Sequence, residues 1–180
     1  AISSAVALLK GKAIHTYKMR LQILHDIQME NALIDMYMKC GSFVYAEHVF
    51  HNTSTRNLVT WNTMISGYGS HGEFPKAINF FNEMRTSGIY PDGVTFLSLI
   101  SSCNHSGLVN EGLKLYELMR EYRVEPGMEH YINMVDLLGR AGFLDDAYGF
   151  INNMHIEADQ SVWLCLLSAC QVHRKIELGE

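Results

Sequence analysis

The chain has 180 residues, 48% of them hydrophobic and 18% charged, with a formal net charge of −5. That length can bury a sizeable core, the composition excludes intrinsic disorder, and the acidic total opposes a polyanion at long range. Ten Met, nine Tyr and eight Phe against three Pro favour an all-α class over a sandwich with frequent turns.

Taken in chain order, the sequence predicts one structural unit several times over. A basic segment containing LLKGKAIHTYKMR comes first; residues 1–26 carry four basic side chains against one acidic. Four amphipathic runs follow, NALIDMYMKC, WNTMISGYGS, FLSLISSCNH and YINMVDLLGR, each with apolar residues at helical spacing. Each run is closed by a glycine, Gly41, Gly72, Gly107 and Gly142, at intervals of 31, 35 and 35 residues. Five residues past each glycine stands Ala46, Ala77, Gly112 or Ala147, and four further on Phe50, Phe81, Tyr116 or Ile151. A small residue followed at i+4 by a large apolar one predicts a second helix with a close-packed seam. The last segment, SVWLCLLSACQVHRKIELGE, opens a further unit.

The unit is helix, glycine turn, helix. Such a short pair cannot bury its own apolar face, so the expected architecture is an α-solenoid of stacked pairs forming a right-handed superhelix. Trp61, Phe96, Tyr131 and Trp163 hold equivalent places and are expected in the interhelical core. Cys40, Cys103, Cys165 and Cys170 lie in apolar helical patterns and are expected as free thiols in a reducing compartment. No apolar run reaches membrane-spanning length and no signal peptide opens the chain. It begins and ends inside the pattern, as an excised fragment would.

Helix pairs of this length suit tetratricopeptide or pentatricopeptide repeats, and the Trp, Leu-Gly and Tyr pattern of the former is absent. VTWNTMISGYGSHGEFPKAINFFNEMRTSGIYPD resembles a pentatricopeptide repeat from end to end, and NALIDMYMKCGS and YINMVDLLGRAGFLDDA are similarly close to family motifs. The lengths resemble the plant class that alternates long, short and standard motifs. On that resemblance residues 1–26 are a partial long motif, 27–57 a short one, 58–92 a standard one, 93–127 a long one and 128–159 a short one. Residues 160–180 resemble the truncated start of the C-terminal extension motif of that class.

The resemblance implies single-stranded RNA binding in mitochondria or chloroplasts, one base per repeat, in a factor that selects cytidines for editing to uridine. It places the base choice on the fifth and last residues of each repeat. Those are Asn31 with Asn57, similar to a pyrimidine code leaning to cytosine, and Asn62 with Asp92, similar to a uracil code. The expected RNA is therefore a pyrimidine followed by U. Val59 and Val94, second in their repeats, would clamp the bases, while Gln28 and Glu129 depart from the apolar pattern. Lys39 and Arg140, thirteenth in theirs, would contact phosphate; Ser70 and His105 interrupt that basic track. Leu97 with Gly127, and Ile132 with Asp159, are weak coding positions. The long motif 93–127 is the expected docking edge for small accessory editing factors, and exposed end helices could pair two fragments.

Other readings compete. Asn31 or Asn62 could be a helix cap. HGE at 71–73 matches the His-x-Glu of zinc deaminases, but the Pro-Cys-x-x-Cys that should accompany it is missing from the chain. The chain itself is thus expected to be non-catalytic, with the deaminase elsewhere in its parent or in a partner. Cys165, Cys170 and His173 are spaced by five and three, which does not gather them on one helix face, so neither metal nor cofactor is expected. The remaining alternatives are an RNA splicing or stability factor, and a protein-binding helical scaffold, which the acidic balance favours.

Overall fold

The computed structural model describes residues 2–20 and 26–173. Ten helices run through them: α1 (Ile2–Arg20), α2 (Ile27–Lys39), α3 (Phe43–Asn52), α4 (Leu58–Ser70), α5 (Phe74–Thr86), α6 (Gly93–Ser106), α7 (Val109–Glu121), α8 (Met128–Arg140), α9 (Leu144–Asn152) and α10 (Gln160–His173). The ends of the expected partial motif 1–26 and of the extension motif 160–180 lie outside the described residues. No described helix is long and apolar enough to cross a membrane.

The glycine turns form as the sequence predicts. Gly41, Gly72, Gly107 and Gly142 have φ of 67, 74, 67 and 82°, a left-handed conformation that costs glycine little. The next residue's N–H reaches back to a carbonyl in the last turn of the first helix, as Ser42 N donates to Tyr37 O over 2.8 Å and Leu108 N to Cys103 O over 2.9 Å. This backbone closure folds each second helix against its first.

The chain divides into two compact units, Ala1–Tyr90 and Pro91–Glu180. In the first, α1 packs on α2, α2 pairs with α3, and α4 packs both on α2 and with its own partner α5. Phe50 lies edge-on to Trp61 and Phe80, at centroid distances of 4.8 and 5.2 Å, and Tyr68 stacks on Phe80 at 5.5 Å. In the second, α6 pairs with α7 and α8 with α9, while α8 packs against both α6 and α10. Its core includes Val135, Leu138, Leu144, Ile151, Val162 and Leu166. First helices thus stack on first helices within each unit.

The seam residues Ala46, Ala77, Gly112 and Ala147 are buried. Trp61, Phe96 and Tyr131 are also buried, but Trp163 is 38% exposed, which corrects the expectation for that position. The reason lies in the pairing. Trp61 and Tyr131 lie against Phe80 and Phe150 of the second helices that follow them, and Phe96 against Tyr122 just past its own. Among the described residues no helix follows α10, and Trp163 has Tyr148 of the preceding pair as its ring neighbour, at 6.3 Å.

All four cysteines are free thiols, Cys103 and Cys170 buried and Cys40 and Cys165 half-buried. Burial pushes the Cys103 thiol up to about 12 and Cys165 up to about 11, the nearby Asp136 adding to the latter.

Candidate nucleic-acid interface

The residue closing each expected repeat is the N-cap of the next first helix. Asp26 Oδ1 accepts from Gln28 N over 2.9 Å at the start of α2, and Asp159 Oδ1 from Ser161 N over 2.9 Å at the start of α10. Asn57 and Asp92 make full capping boxes. Asn57 Oδ1 accepts from Thr60 N and Thr60 Oγ1, both at 3.0 Å, while Asn57 N donates to Thr60 Oγ1 over 3.2 Å. Asp92 and Thr95 repeat this at 3.0, 2.9 and 3.1 Å. Four orphan N–H groups at each helix start make these oxygens stabilising.

Gly127 has no side chain to offer, so His130 completes the arrangement at α8 from the other direction. Gly127 N donates to His130 Nδ1 over 3.1 Å, which leaves Nε2 as the protonated nitrogen, donating to Gly93 O over 2.8 Å. The Thr or His at the third helical position is buried in all three cases.

The fifth-position residues lie inside the helices. Asn31 is half-buried in α2, and its Oδ1 is buried without a hydrogen-bond partner. Asn62 in α4 is 8% exposed and engaged within the fold. Neither is a cap, because Asp26 and Asn57 already hold those places. The capping role considered for Asn31 and Asn62 belongs instead to the repeat-closing residues, a pattern legible in N-x-x-T and D-x-x-T at 57–60 and 92–95. Leu97 and Ile132 are half-buried and carry no polar group.

Asn31 and Asn57 fall at one end of the first unit. Gly67 of α4 approaches Met38 of α2 so closely that an added Cβ would stand 2.7 Å from Met38 Cβ. The intervening α3 runs antiparallel to both, with Tyr45 on Tyr37, Phe43 by Tyr68 and Phe50 by Trp61, so α2 and α4 run parallel, with the starts that carry Asn31 and Asn57 at the opposite, common end. The Asn57 cap uses Oδ1 and leaves Nδ2 outside the box. Asn62 belongs to the first unit and Asp92 to the second.

Val59 and Val94, each 55% exposed, present an apolar side chain to solvent one turn before the fifth position. Gln28 and Glu129 are exposed at the equivalent place. Lys39 and Arg140 are exposed too, but each meets an aspartate one turn earlier: Lys39 Nζ lies 2.8 Å from Asp35 Oδ2, and Arg140 Nε 3.5 Å from Asp136 Oδ1. Asp136 also accepts from Asn104 Nδ2 over 2.7 Å, so a chain Asn104, Asp136, Arg140 ties α6 to α8. Sequence reasoning passed over those aspartates, although their i,i+4 spacing was visible. His71 bonds through Nδ1 to Gly67 O over 2.9 Å, and Glu73 opens α5, placing the two on either side of a structural turn.

Known proteins agree with this architecture. The family model described as PPR repeat matches residues 31–54, 94–124 and 129–157, and the one described as PPR repeat family matches 56–105. A pentatricopeptide repeat-containing protein of Arabidopsis thaliana is 58% identical over 99% of this chain, which spans 21% of that relative's length. The chloroplastic Arabidopsis protein DOT4 is 44% identical over 100% of the chain and 21% of its own length. A mitochondrial Arabidopsis relative is 42% identical over 100% of the chain and 28% of its own. The crystal structure of PPR10 from maize matches with a TM-score of 0.83 at 18% identity, over 93% of this chain and 25% of that one, which shows the α-solenoid fold. PPR10 in complex with an 18-nt psaJ RNA element matches with a TM-score of 0.71 at 25% identity, over 78% and 21%.

Proposed function

Since the chain belongs to the pentatricopeptide repeat family, we propose that it is a single-stranded RNA-binding segment reading a pyrimidine and then uracil through repeats 27–57 and 58–92. It serves within a plant site-recognition factor for organellar C-to-U editing, of the class with long, short and standard motifs. The complex of PPR10 with an 18-nt psaJ RNA element supports the ligand class, and the chloroplastic and mitochondrial relatives support the compartment. The chain contributes recognition; deamination falls to another part of the parent or to a partner. Accessory editing factors dock on 93–127.

One observation carries the reading: the Asn31 and Asn57 amides share one end of the α2/α4 layer, with Asn31 Oδ1 unpartnered and Asn57 Nδ2 outside its cap. An amide offers both a donor and an acceptor to a pyrimidine edge, and Val59 supplies an exposed apolar surface for the base face. In the next repeat Asn62 keeps the amide and Asp92 puts a carboxylate where Asn57 has an amide. The acidic total predicts weak, salt-sensitive binding by this segment alone.

The test is a gel shift with short single strands that differ at the two read positions, across salt concentrations. Pyrimidine-U should bind best, and Asn62→Thr should move the second preference towards a purine. An unchanged preference would remove the assignment of Asn62. Failure to bind any single strand at low salt would favour a peptide-binding scaffold.

A further inference from the structure

A cavity of about 580 Å³ opens in the second unit; its lining includes no fifth-position residue and reaches Pro126, the neighbour of the closing residue Gly127. Its wall is built from the C-terminal ends of α7 and α9 and the turns after them: Tyr116, Arg120 and Arg123 on one side, Phe150, Asn153 and His155 on the other. The volume lies in the range of small-molecule sites.

The lining has two chemical parts. Tyr116 and Phe150 meet edge-to-face at 4.9 Å, and the Tyr116 hydroxyl is already bonded to Tyr131, so Tyr116 offers its ring. Arg120 and Arg123 form no ion pair with a described carboxylate. Two guanidinium forks beside an aromatic floor suit a phosphate joined to a flat ring.

Arg123 is held there against its backbone preference. It is the sole described non-glycine residue with positive φ, at 55°, and it closes α7 by donating to Arg120 O over 3.0 Å, with Val124 N donating to Met119 O over 2.9 Å. The preceding repeat makes the same closure with Gly88, at φ 77°: Gly88 N donates to Arg85 O over 3.1 Å and Ile89 N to Met84 O over 3.2 Å. A glycine therefore suits this turn better than arginine does. Backbone strain of this kind clusters at ligand-binding sites.

We propose that the cavity is a binding site for a nucleoside monophosphate. Arg120 and Arg123 hold the phosphate, the Tyr116 and Phe150 rings seat the base, and the Asn153 amide and His155 meet its polar edge. Glu125 also lines the cavity, and its carboxylate accepts from an exocyclic amino group. The nucleotide is either free or the 5′-phosphorylated end of an RNA strand.

Calorimetric titration of the full chain with adenosine 5′-monophosphate tests this, beside adenosine and inorganic phosphate alone. The intact nucleotide should bind at least roughly tenfold more tightly than either half. Arg123→Gly should weaken nucleotide binding by about tenfold or more while raising the thermal midpoint, and Arg120→Gln should weaken binding similarly. A purely structural Arg123 would not separate binding from stability in that way. Competition by a 5′-phosphorylated strand, but not by its unphosphorylated twin, assigns the site to strand ends; no competition assigns it to free nucleotide. No binding at millimolar nucleotide, or binding that both variants leave unchanged, overturns the proposal.

Discussion

Tyr68 donates its hydroxyl proton to Glu47 across 2.5 Å, tying α4 to the second helix of the preceding pair, and Lys76 Nζ approaches the same carboxylate oxygen at 3.2 Å. The Tyr68 hydrogen bond holds the Glu47 carboxyl below its ordinary value of 4.5; burial opposes that and Lys76 helps it. Burial first, and then Glu47, pushes the Tyr68 hydroxyl up. A depressed carboxylate pKa stabilises the fold above the unfolded value and loses that contribution as pH falls through the folded one. The raised tyrosine pKa contributes below its ordinary value of 10 and is lost as pH rises past it. Tyr68→Phe should therefore cost about 1 kcal/mol near neutral pH, and the Glu47 carboxyl should titrate closer to 4.5 by carbon-13 NMR. An unmoved Glu47 titration would show that the hydroxyl does not govern it.

Two glycines of similar helical setting should respond in opposite directions to the same change. A Cβ on Gly67 would lie 2.5 Å from Met38 Cγ as well as against its Cβ, so Gly67→Ala forces α2 and α4 apart and should cost about 1–3 kcal/mol. Gly149 in α9 has nothing within 4 Å of an added Cβ, and Gly149→Ala should stabilise by roughly 0.5–1 kcal/mol. Urea midpoints that move the same way in both variants would refute this account of the α2/α4 contact.

Asn57 caps α4 and, in the proposed reading, also meets a base, and substitution can separate the two. Asn57→Ala removes the α4 cap and should cost about 1 kcal/mol whatever the ligand. Asn57→Asp retains the Oδ1 acceptor and replaces the amide nitrogen, so stability should hold while the RNA preference moves from cytosine towards uracil. Equal loss of stability in the two variants would mean that the cap does not depend on the oxygen.

Release of Lys39 from its aspartate offers a test of the phosphate track. With Asp35→Asn, the ammonium that now lies 2.8 Å from Asp35 Oδ2 becomes available to a phosphate. Binding to a single strand should strengthen by a few-fold at low salt, with a steeper salt dependence. The exposed ion pair contributes little to folding, so the melt should shift by less than about 1 kcal/mol. Unchanged affinity and salt slope would remove Lys39 from the interface.

Much of the fold was legible because the same physical demands recur at a fixed interval. Gly41, Gly72, Gly107 and Gly142 each occupy the left-handed turn that their place between amphipathic runs predicts. Trp163 was misplaced because its local pattern matches that of Trp61, Phe96 and Tyr131, while its exposure is set by neighbours that the pattern does not contain. The closing residues Asn57 and Asp92 were expected as base readers, and their backbone duty as caps lies in the hydrogen bonds to Thr60 and Thr95 that only the fold displays. The partners of Lys39 and Arg140, Asp35 and Asp136, were legible as i,i+4 spacings, but spacing alone does not say that the ion pairs form. The aromatic and guanidinium cavity was beyond reach, since it joins α7 to α9 through residues some thirty positions apart.

The fit of Gly67 against Met38 has a counterpart in the second unit, where a Cβ on Gly139 would stand 2.7 Å from Ala169 Cβ. In the first case the later helix supplies the bare backbone, and in the second the earlier helix does. Adjacent repeats are therefore cut to each other, like a key to one lock, and are not interchangeable bricks. An engineer who splices a single repeat into a new array would bring Met38 against whatever stands at the tenth place of its new neighbour. Repeats of this chain should be transplanted in neighbouring pairs, with the joint taken between pairs whose tenth and twelfth residues already match.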